Sequence, residues 1–413
     1  MMRRVAVTGL GAVTPLGNDV PSLWHELLEG RSGIGRVTKF DPAGLAVQIA
    51  GEVKNFEPAR GLDPKLARRT DAFTQYALVA TAEAVRDAGL DFRGEDPRRC
   101  GVVIGSGMGG VATWENEHIR FLEKGPSRVS PLLIPMMIPD MAAGQVAIQY
   151  QAKGPNFATV SACASGAHGI GTGGELIALD KADVIIAGGS EAAITAYTIS
   201  AFANMQALSR RNDAPEKASR PFDRDRDGFV IAEGAGIVVL EEMGHAQQRG
   251  ARVYAELAGY GATSDGYHIT APDPEGNGAY EAMLGAIRAA GIGLDEVDYV
   301  NAHGTSTSLN DLTETLAIKR LFGEHASRLV VNSTKSMIGH ALGAAGAIEF
   351  VVTCLSVYHQ QVHRTLNLEN PDDGMDLDYV PEGARRVRIR AALCNSFGFG
   401  GHNCSLLARR VES

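Results

Sequence analysis

The stretch ATVSACASGAHGIGTGGELIA, Ala158 to Ala178, holds the junction on which the reading of the chain turns. An apolar run stops at Cys163, and a run of Ala, Ser and Gly begins. A packed core would carry larger side chains. The small neighbours Ala162, Ala164, Ser165 and Gly166 leave a clear approach to the sulfur, and the residues from Ala164 to Leu179 read as a helix. A helix N-terminus offers free N–H groups and partial positive charge. Both favour thiolate over thiol. The sequence therefore predicts a low-pKa thiol at a strand-to-helix junction. A free cysteine is commonly a small core residue. Cys100, Cys354, Cys394 and Cys404, each inside an apolar run, keep that reading. His168, five positions after Cys163, points away on a helix and is not expected to be its partner.

Similar junctions recur outward from Cys163. CGVVIGSG, FATVSAC, DVIIAGGS, GIVVLEE, VDYVNAHG, LVVNSTKS and VRIRAALCNS read as buried strands. Lys65–Ala88, Ala164–Leu179, Ala279–Ala290, Asp311–Phe322 and Ala341–Tyr358 read as helices between them. Continuous apolar strands alternating with helices predict an α/β protein with buried sheets. A boundary near residue 250 divides the chain into 1–250 and 251–413. Three of the strands end in a reactive residue: TVSAC at Cys163, YVNAH at His303 and VVNSTK at Lys335, with His340 soon after. Ligands of open α/β folds bind beyond the carboxyl ends of strands, so these residues can meet in one pocket.

His303 precedes small hydroxyl residues in NAHGTST, and His340 heads the Ala- and Gly-rich run that contains Glu349. A helix N-terminus disfavours imidazolium, which suits His340 to donate a hydrogen bond to developing negative charge. With Cys163, the two histidines suggest covalent thiol catalysis with two donors. His25, His118, His245, His325, His359 and His363 stand singly among polar residues and read as surface groups.

The 413 residues carry a net charge of −9, which argues against nucleic acid as the main ligand. Five cysteines without a CxxC pair fit reduced thiols better than a disulfide framework or a zinc site. No HExxH is present, and no metal is expected. No apolar run reaches the roughly 18 residues needed to cross a bilayer. The N-terminal MMRRVAVTGLGAVTPLG is broken by Gly9, Gly11 and Pro15 and reads as a strand and turn, not a signal peptide. The expected location is the cytoplasm, without membrane insertion. Two motifs mislead. GxGxxG occurs at Gly105–Gly110 and again at Gly169–Gly174, and in so glycine-rich a chain it is weak support for a dinucleotide. DRDRDGFVIAEG imitates a calcium loop at Asp223, Asp225, Asp227 and Gly228, but places Gly234 where the bidentate glutamate belongs; it reads as a charged turn.

VSACASGAHGIGTG, VNAHGTSTSLND, NSTKSMIGHALGAAGAIE, RPFDRDRDGFVIAEGAG, NSFGFGGHN and the opening VAVTGLGAVTPLGN resemble the signatures of β-ketoacyl-acyl-carrier-protein synthases. The likeness runs from about Val5 to the C-terminus. The Cys–His–His set matches the elongating members of the family, not the Cys–His–Asn enzymes that start chains.

The resemblance implies a thiolase-like α/β fold of two similar halves in αβαβα layers, with mixed five-stranded sheets and a homodimer. It implies decarboxylative condensation of malonyl carrier protein with an acyl thioester on Cys163, lengthening the acyl chain by two carbons without a cofactor. His303 and His340 would assist decarboxylation and stabilise the enolate. Lys335 and Glu349 would order the histidines. The N–H groups of Cys163 and Phe399 would form the oxyanion hole, and the GFGG loop would gate the site. Met108, Phe202, Thr305, Thr307 and Gly400 would contact substrate. Lys65, Arg68 and Arg69 would meet the acidic acyl carrier protein, with Gln206 standing where some relatives carry Arg. A polyketide-type ketosynthase uses the same chemistry on other chains. A non-catalytic chain-length factor would lack Cys163, and a thiolase would carry a second cysteine near Phe399.

Overall fold

A computed structural model describes residues 2–58 and 62–411. Its main sheet has ten strands: β1 (Val5–Val13), β2 (Cys100–Gly105), β3 (Asn156–Phe157), β4 (Val184–Glu191), β5 (Gly234–Glu242), β6 (Ala255–Ser264), β7 (Val297–Asn301), β8 (Val330–Asn332), β9 (Ala391–Gly398) and β10 (His402–Arg409). Their spatial order is β8-β7-β9-β10-β6-β1-β5-β4-β2-β3. The first five strands stand in the order third, second, fourth, fifth, first, and so do the last five. The pairing repeats too. β2 runs parallel to β3 and β4, and β5 antiparallel to β4 and β1. β7 runs parallel to β8 and β9, and β10 antiparallel to β9 and β6. Among the described residues the two sets pair edge to edge at Ala6–Glu256 and Val7–Ala255.

Helices repeat with the strands. α1 (Ala72–Ala88) follows β1 and packs on the outer face of the first set. α3 (Asn277–Ala290) follows β6 and does the same for the second. α2 (Ser165–Ala178) and α4 (Ala345–His359) pack on each other and on strands of both sets, forming the central layer. The layers are therefore αβαβα. The outer helices approach so closely because of glycines. A Cβ on Gly9 or Gly11 would lie 2.1 or 1.9 Å from the carbonyl oxygens of Ala84 and Ala80. A Cβ on Gly259 or Gly261 would lie 2.0 Å from those of Ala286 and Ala282.

Several sequence expectations need correction. FATVSAC is not a buried strand: only Asn156 and Phe157 pair, and both are exposed. The expected helix from Lys65 breaks into Pro64–Ala67 and α1, because Asp71 caps α1 through the Phe73 N–H. β6 and β10 fall outside the strands expected from sequence; in β6 the glycines that admit α3, Gly259 and Gly261, imitate turns. One helical run, Leu342–His359, is apolar and long enough to cross a membrane by length and composition, contrary to the sequence reading. It is 89% buried in the central layer.

Candidate active site

Between β3 and α2 the chain turns tightly through Ala162–Ala164. Ala162 adopts a left-handed φ of 50°, costly for a residue with a Cβ. Three local bonds hold it: Ser161 N–H to Ser165 Oγ (2.9 Å), Ser165 O–H to Ala162 O (2.7 Å) and Thr159 O–H to Ser165 O (2.7 Å). The turn sits against β9, where a Cβ on Gly398 would lie 3.1 Å from the Cys163 nitrogen. Cys163 thus stands just before α2, not on it. Burial pushes its thiol up to about 11; the Glu191 carboxylate adds to this, while Lys335 and the N–H groups of Phe399 and Cys163 oppose it. The expected low-pKa thiol is corrected accordingly: desolvation outweighs the positive groups. The N–H groups of Phe399 and Cys163 do converge on the sulfur. His168 turns instead to Ser161 Oγ, at 2.6 Å.

The second half supplies the cations and imidazoles. β7 ends two residues before His303, whose N–H and that of Gly304 are taken by Glu314 at 2.8 and 2.9 Å. Lys335 begins a one-turn helix after β8. Its Nζ, fully buried, lies 2.5 Å from Glu349 Oε1 on α4 and 3.2 Å from His303 Nδ1. An ammonium donates there, so Nδ1 accepts and the ring proton stays on Nε2. His340 does not head a helix. Its backbone bridges to the chain at Ile231, with its N–H on Val230 O at 2.7 Å. The two rings stand edge to face, with centroids 5.4 Å apart. Burial first, then Lys335, holds both imidazoles well below the ordinary histidine range; for His303, His340 adds to this. The neutrality expected of His340 is therefore caused by burial. Burial also lifts the Glu349 carboxyl to about 7, against the pull of Lys335.

A cavity of about 430 Å³ brings Cys163, His303, His340 and Phe399 together with Met108, Phe202, Thr305 and Thr307. Thr305 and Thr307 share a hydrogen bond of 2.8 Å. Lys335 and Glu349 lie behind His303 and do not line it. Gly400 does not line it either: it turns the loop with φ 86°, its N–H on Ile269 O at 2.8 Å. Lys65, Arg68 and Arg69 are exposed on and beside Pro64–Ala67, outside the cavity. Gln206 is at the cavity wall.

Sequence reasoning missed Glu191 and Glu314. Both are buried carboxylates that gather backbone N–H groups at strand ends. The only sequence signal for Glu191 is an acid closing an apolar run, and Glu314, inside the helix Ser308–Phe322, carries none. Glu191 also explains the false GxGxxG. The N–H groups of Gly107 and Met108, placed as a phosphate cradle would place them, are occupied by its carboxylate at 2.7 and 3.1 Å. In the calcium-like segment, Asp223 accepts from Arg220, Asp225, Glu369 and Asn370. No metal-holding group of three or more His, Cys, Asp or Glu occurs among the described residues. His363, expected at the surface, is fully buried, with Nε2 3.0 Å from Thr334 Oγ1 and Nδ1 donating to Arg364 O at 2.7 Å. The polar residues around it in sequence point elsewhere.

A family model for the Beta-ketoacyl synthase N-terminal domain matches residues 2–246, and one for its C-terminal domain matches residues 254–369. The chain belongs to the β-ketoacyl synthase family. It is thus an acyltransferase-class condensing enzyme with the thiolase-like ketosynthase fold. It is 50% identical over 409 residues to the 3-oxoacyl-[acyl-carrier-protein] synthase 2 of Coxiella burnetii, covering 99% of both chains. It is 51% identical over 411 residues to the synthase of the same name from Staphylococcus aureus (strain N315), covering 100% of this chain and 99% of that one. Among solved structures it resembles a type II polyketide synthase ketosynthase bound to a hexaketide, in complex with its acyl-carrier protein. That likeness has a TM-score of 0.91 and 37% identity over all of both chains.

Proposed function

We propose that the chain is a 3-oxoacyl-[acyl-carrier-protein] synthase of the elongating kind. The observation that carries this is the meeting, in one cavity, of a cysteine sulfur faced by two N–H donors and two neutral imidazoles. Cys163 Sγ attacks the acyl carbonyl carbon of an acyl carrier protein, its proton passes to a neutral imidazole, and the carrier thiol leaves. Malonyl carrier protein then loses CO₂, and the bonding pair forms an enolate. Nε2–H of His303, with His340, donates to the enolate oxygen. The enolate carbon attacks the Cys163 thioester. The N–H groups of Cys163 and Phe399 hold the resulting oxyanion, which collapses to expel the sulfur and release 3-oxoacyl carrier protein. Lys335 and Glu349 are positioning residues: the buried ammonium fixes the His303 tautomer, and the carboxylate fixes the ammonium.

The acyl chain runs past Met108 and Phe202, and the phosphopantetheine arm past Thr305 and Thr307. Phe399 and Gly400 form the gate, and Lys65, Arg68 and Arg69 receive the carrier protein. Residues 1–250 supply the nucleophile and 251–413 the histidines, a division supported by the repeated strand order. Homodimerisation is supported by the open edge of β3, where Phe157, Val160, Ile134 and Ile148 are exposed. The five free thiols suit the reducing cytoplasm.

The test is incubation of purified protein with acyl and malonyl carrier proteins. Acylation at Cys163, located by peptide mass spectrometry, and release of 3-oxoacyl carrier protein are expected. Acylation elsewhere overturns the assignment. A poly-β-keto product would favour the polyketide-type reading.

A further inference from the structure

Glu191 closes β4, is fully buried, and has no part in the reaction just described. Oε2 accepts from the N–H groups of Gly107 at 2.7 Å and Gly343 at 3.0 Å. Oε1 accepts from the Met108 N–H at 3.1 Å and the Ser106 hydroxyl at 3.0 Å. These donors come from both halves of the chain: Ser106, Gly107 and Met108 follow β2, while Gly343 lies in the turn before α4. Gly107, Met108 and Leu342 all line the cavity. The halves touch backbone to backbone here. A Cβ on Gly343 would lie 2.2 Å from the Gly107 nitrogen and 2.7 Å from Glu191 Oε2. The repeat adds a further relation. The turn at Leu342, φ 47°, occupies the place in the second half that the Ala162 turn, φ 50°, occupies in the first. The Glu191 carboxylate therefore caps the turn that corresponds to the one bearing the nucleophile. Glutamine could not do the same, because it has one acceptor oxygen and its NH₂ would face N–H donors.

We propose that Glu191 is a positioning residue that pins the Met108 wall of the cavity to the Leu342–Gly343 turn and thereby sets the length of acyl chain the cavity accepts. This rests on the acyl-transfer reading above. Met108 and Cys163 line one cavity, so a chain on the sulfur that is long enough to reach the Met108 wall would need that wall held in place, whereas a chain too short to reach it would not. A merely structural role would weaken transfer of every chain alike.

Wild type, Glu191→Gln and Ser106→Ala are each incubated with butyryl and palmitoyl carrier protein, and thioester formation at Cys163 is timed by mass spectrometry. The readout is the palmitoyl-to-butyryl rate ratio, in which any change in the thiol itself cancels. For Glu191→Gln the ratio should fall about tenfold, the worth of one charge-assisted hydrogen bond. Ser106→Ala should lower it less, and it decides the matter if the glutamine variant does not fold. A ratio that is unchanged or raised overturns the proposal, even if both rates drop. A wild-type enzyme that takes neither acyl group overturns the acyl-transfer reading itself, and this inference with it.

Discussion

Lys335 and Glu349 form an ion pair sealed from solvent, 2.5 Å from Nζ to Oε1, and the same ammonium lies 3.2 Å from His303 Nδ1. Removing one member strands a charge in the core. Glu349→Ala is expected to lower unfolding free energy by about 3–5 kcal/mol, and Lys335→Met with Glu349→Leu to recover most of that. Denaturant titration checks both. An unshifted midpoint for the single variant would contradict the pair's role in holding Lys335.

The elevated thiol at position 163 has a kinetic signature. Iodoacetamide reacts with thiolate, so the alkylation rate of Cys163 should keep climbing beyond pH ~9.5, about a unit above the ordinary cysteine pKa of ~8.5, where an ordinary cysteine levels off. Glu191→Gln should speed the reaction at a given pH and Lys335→Met should slow it, following the sign of each neighbour's charge. A plateau near pH 7, followed by peptide mass spectrometry, would show the thiol to be activated by the fold after all.

His363 is held neutral by burial, its folded value lowered from 6.5 to about 4. The unfolded chain takes up this proton below 6.5 and the native one does not. Its contribution is therefore present above pH 6.5 and is lost as pH falls toward 4. Wild type should lose on the order of 3 kcal/mol relative to His363→Gln across that interval. Parallel stability curves for the two proteins would refute it.

The exposed cations on and beside Pro64–Ala67 lie away from the chemistry. Lys65→Glu with Arg68→Glu should raise KM for acyl carrier protein about tenfold, with kcat and turnover of a small thioester mimic little changed. Added salt should narrow the gap between variant and wild type. Equal KM values would remove this surface from the docking site.

The cavity's residues were legible because most sit in contiguous signatures: small residues after Cys163, hydroxyls after His303, a lysine five positions before His340. Glu191 and Glu314 were not legible. Glu191, closing an apolar run, looks like a solvated strand end, and Glu314, among polar residues of a helix, looks like a solvated helix face, until the amides each gathers are seen. The Cys163 environment was misjudged for a related reason. Sequence marks the helix that follows a thiol but not the depth at which the thiol lies. Glycine concealed β6 as well, since the pattern that suggests a bend at Gly259 and Gly261 is also what admits a helix against a flat strand.

Among the described residues the two sets of strands pair at Ala6–Glu256 and Val7–Ala255, while α2 and α4 interlock between them. A molecule assembled this way behaves as a tethered pair of pieces, one bringing sulfur and the other imidazole and ammonium. Cutting the tether near residue 250 would then yield two fragments that are each inert, yet able to regain turnover when mixed.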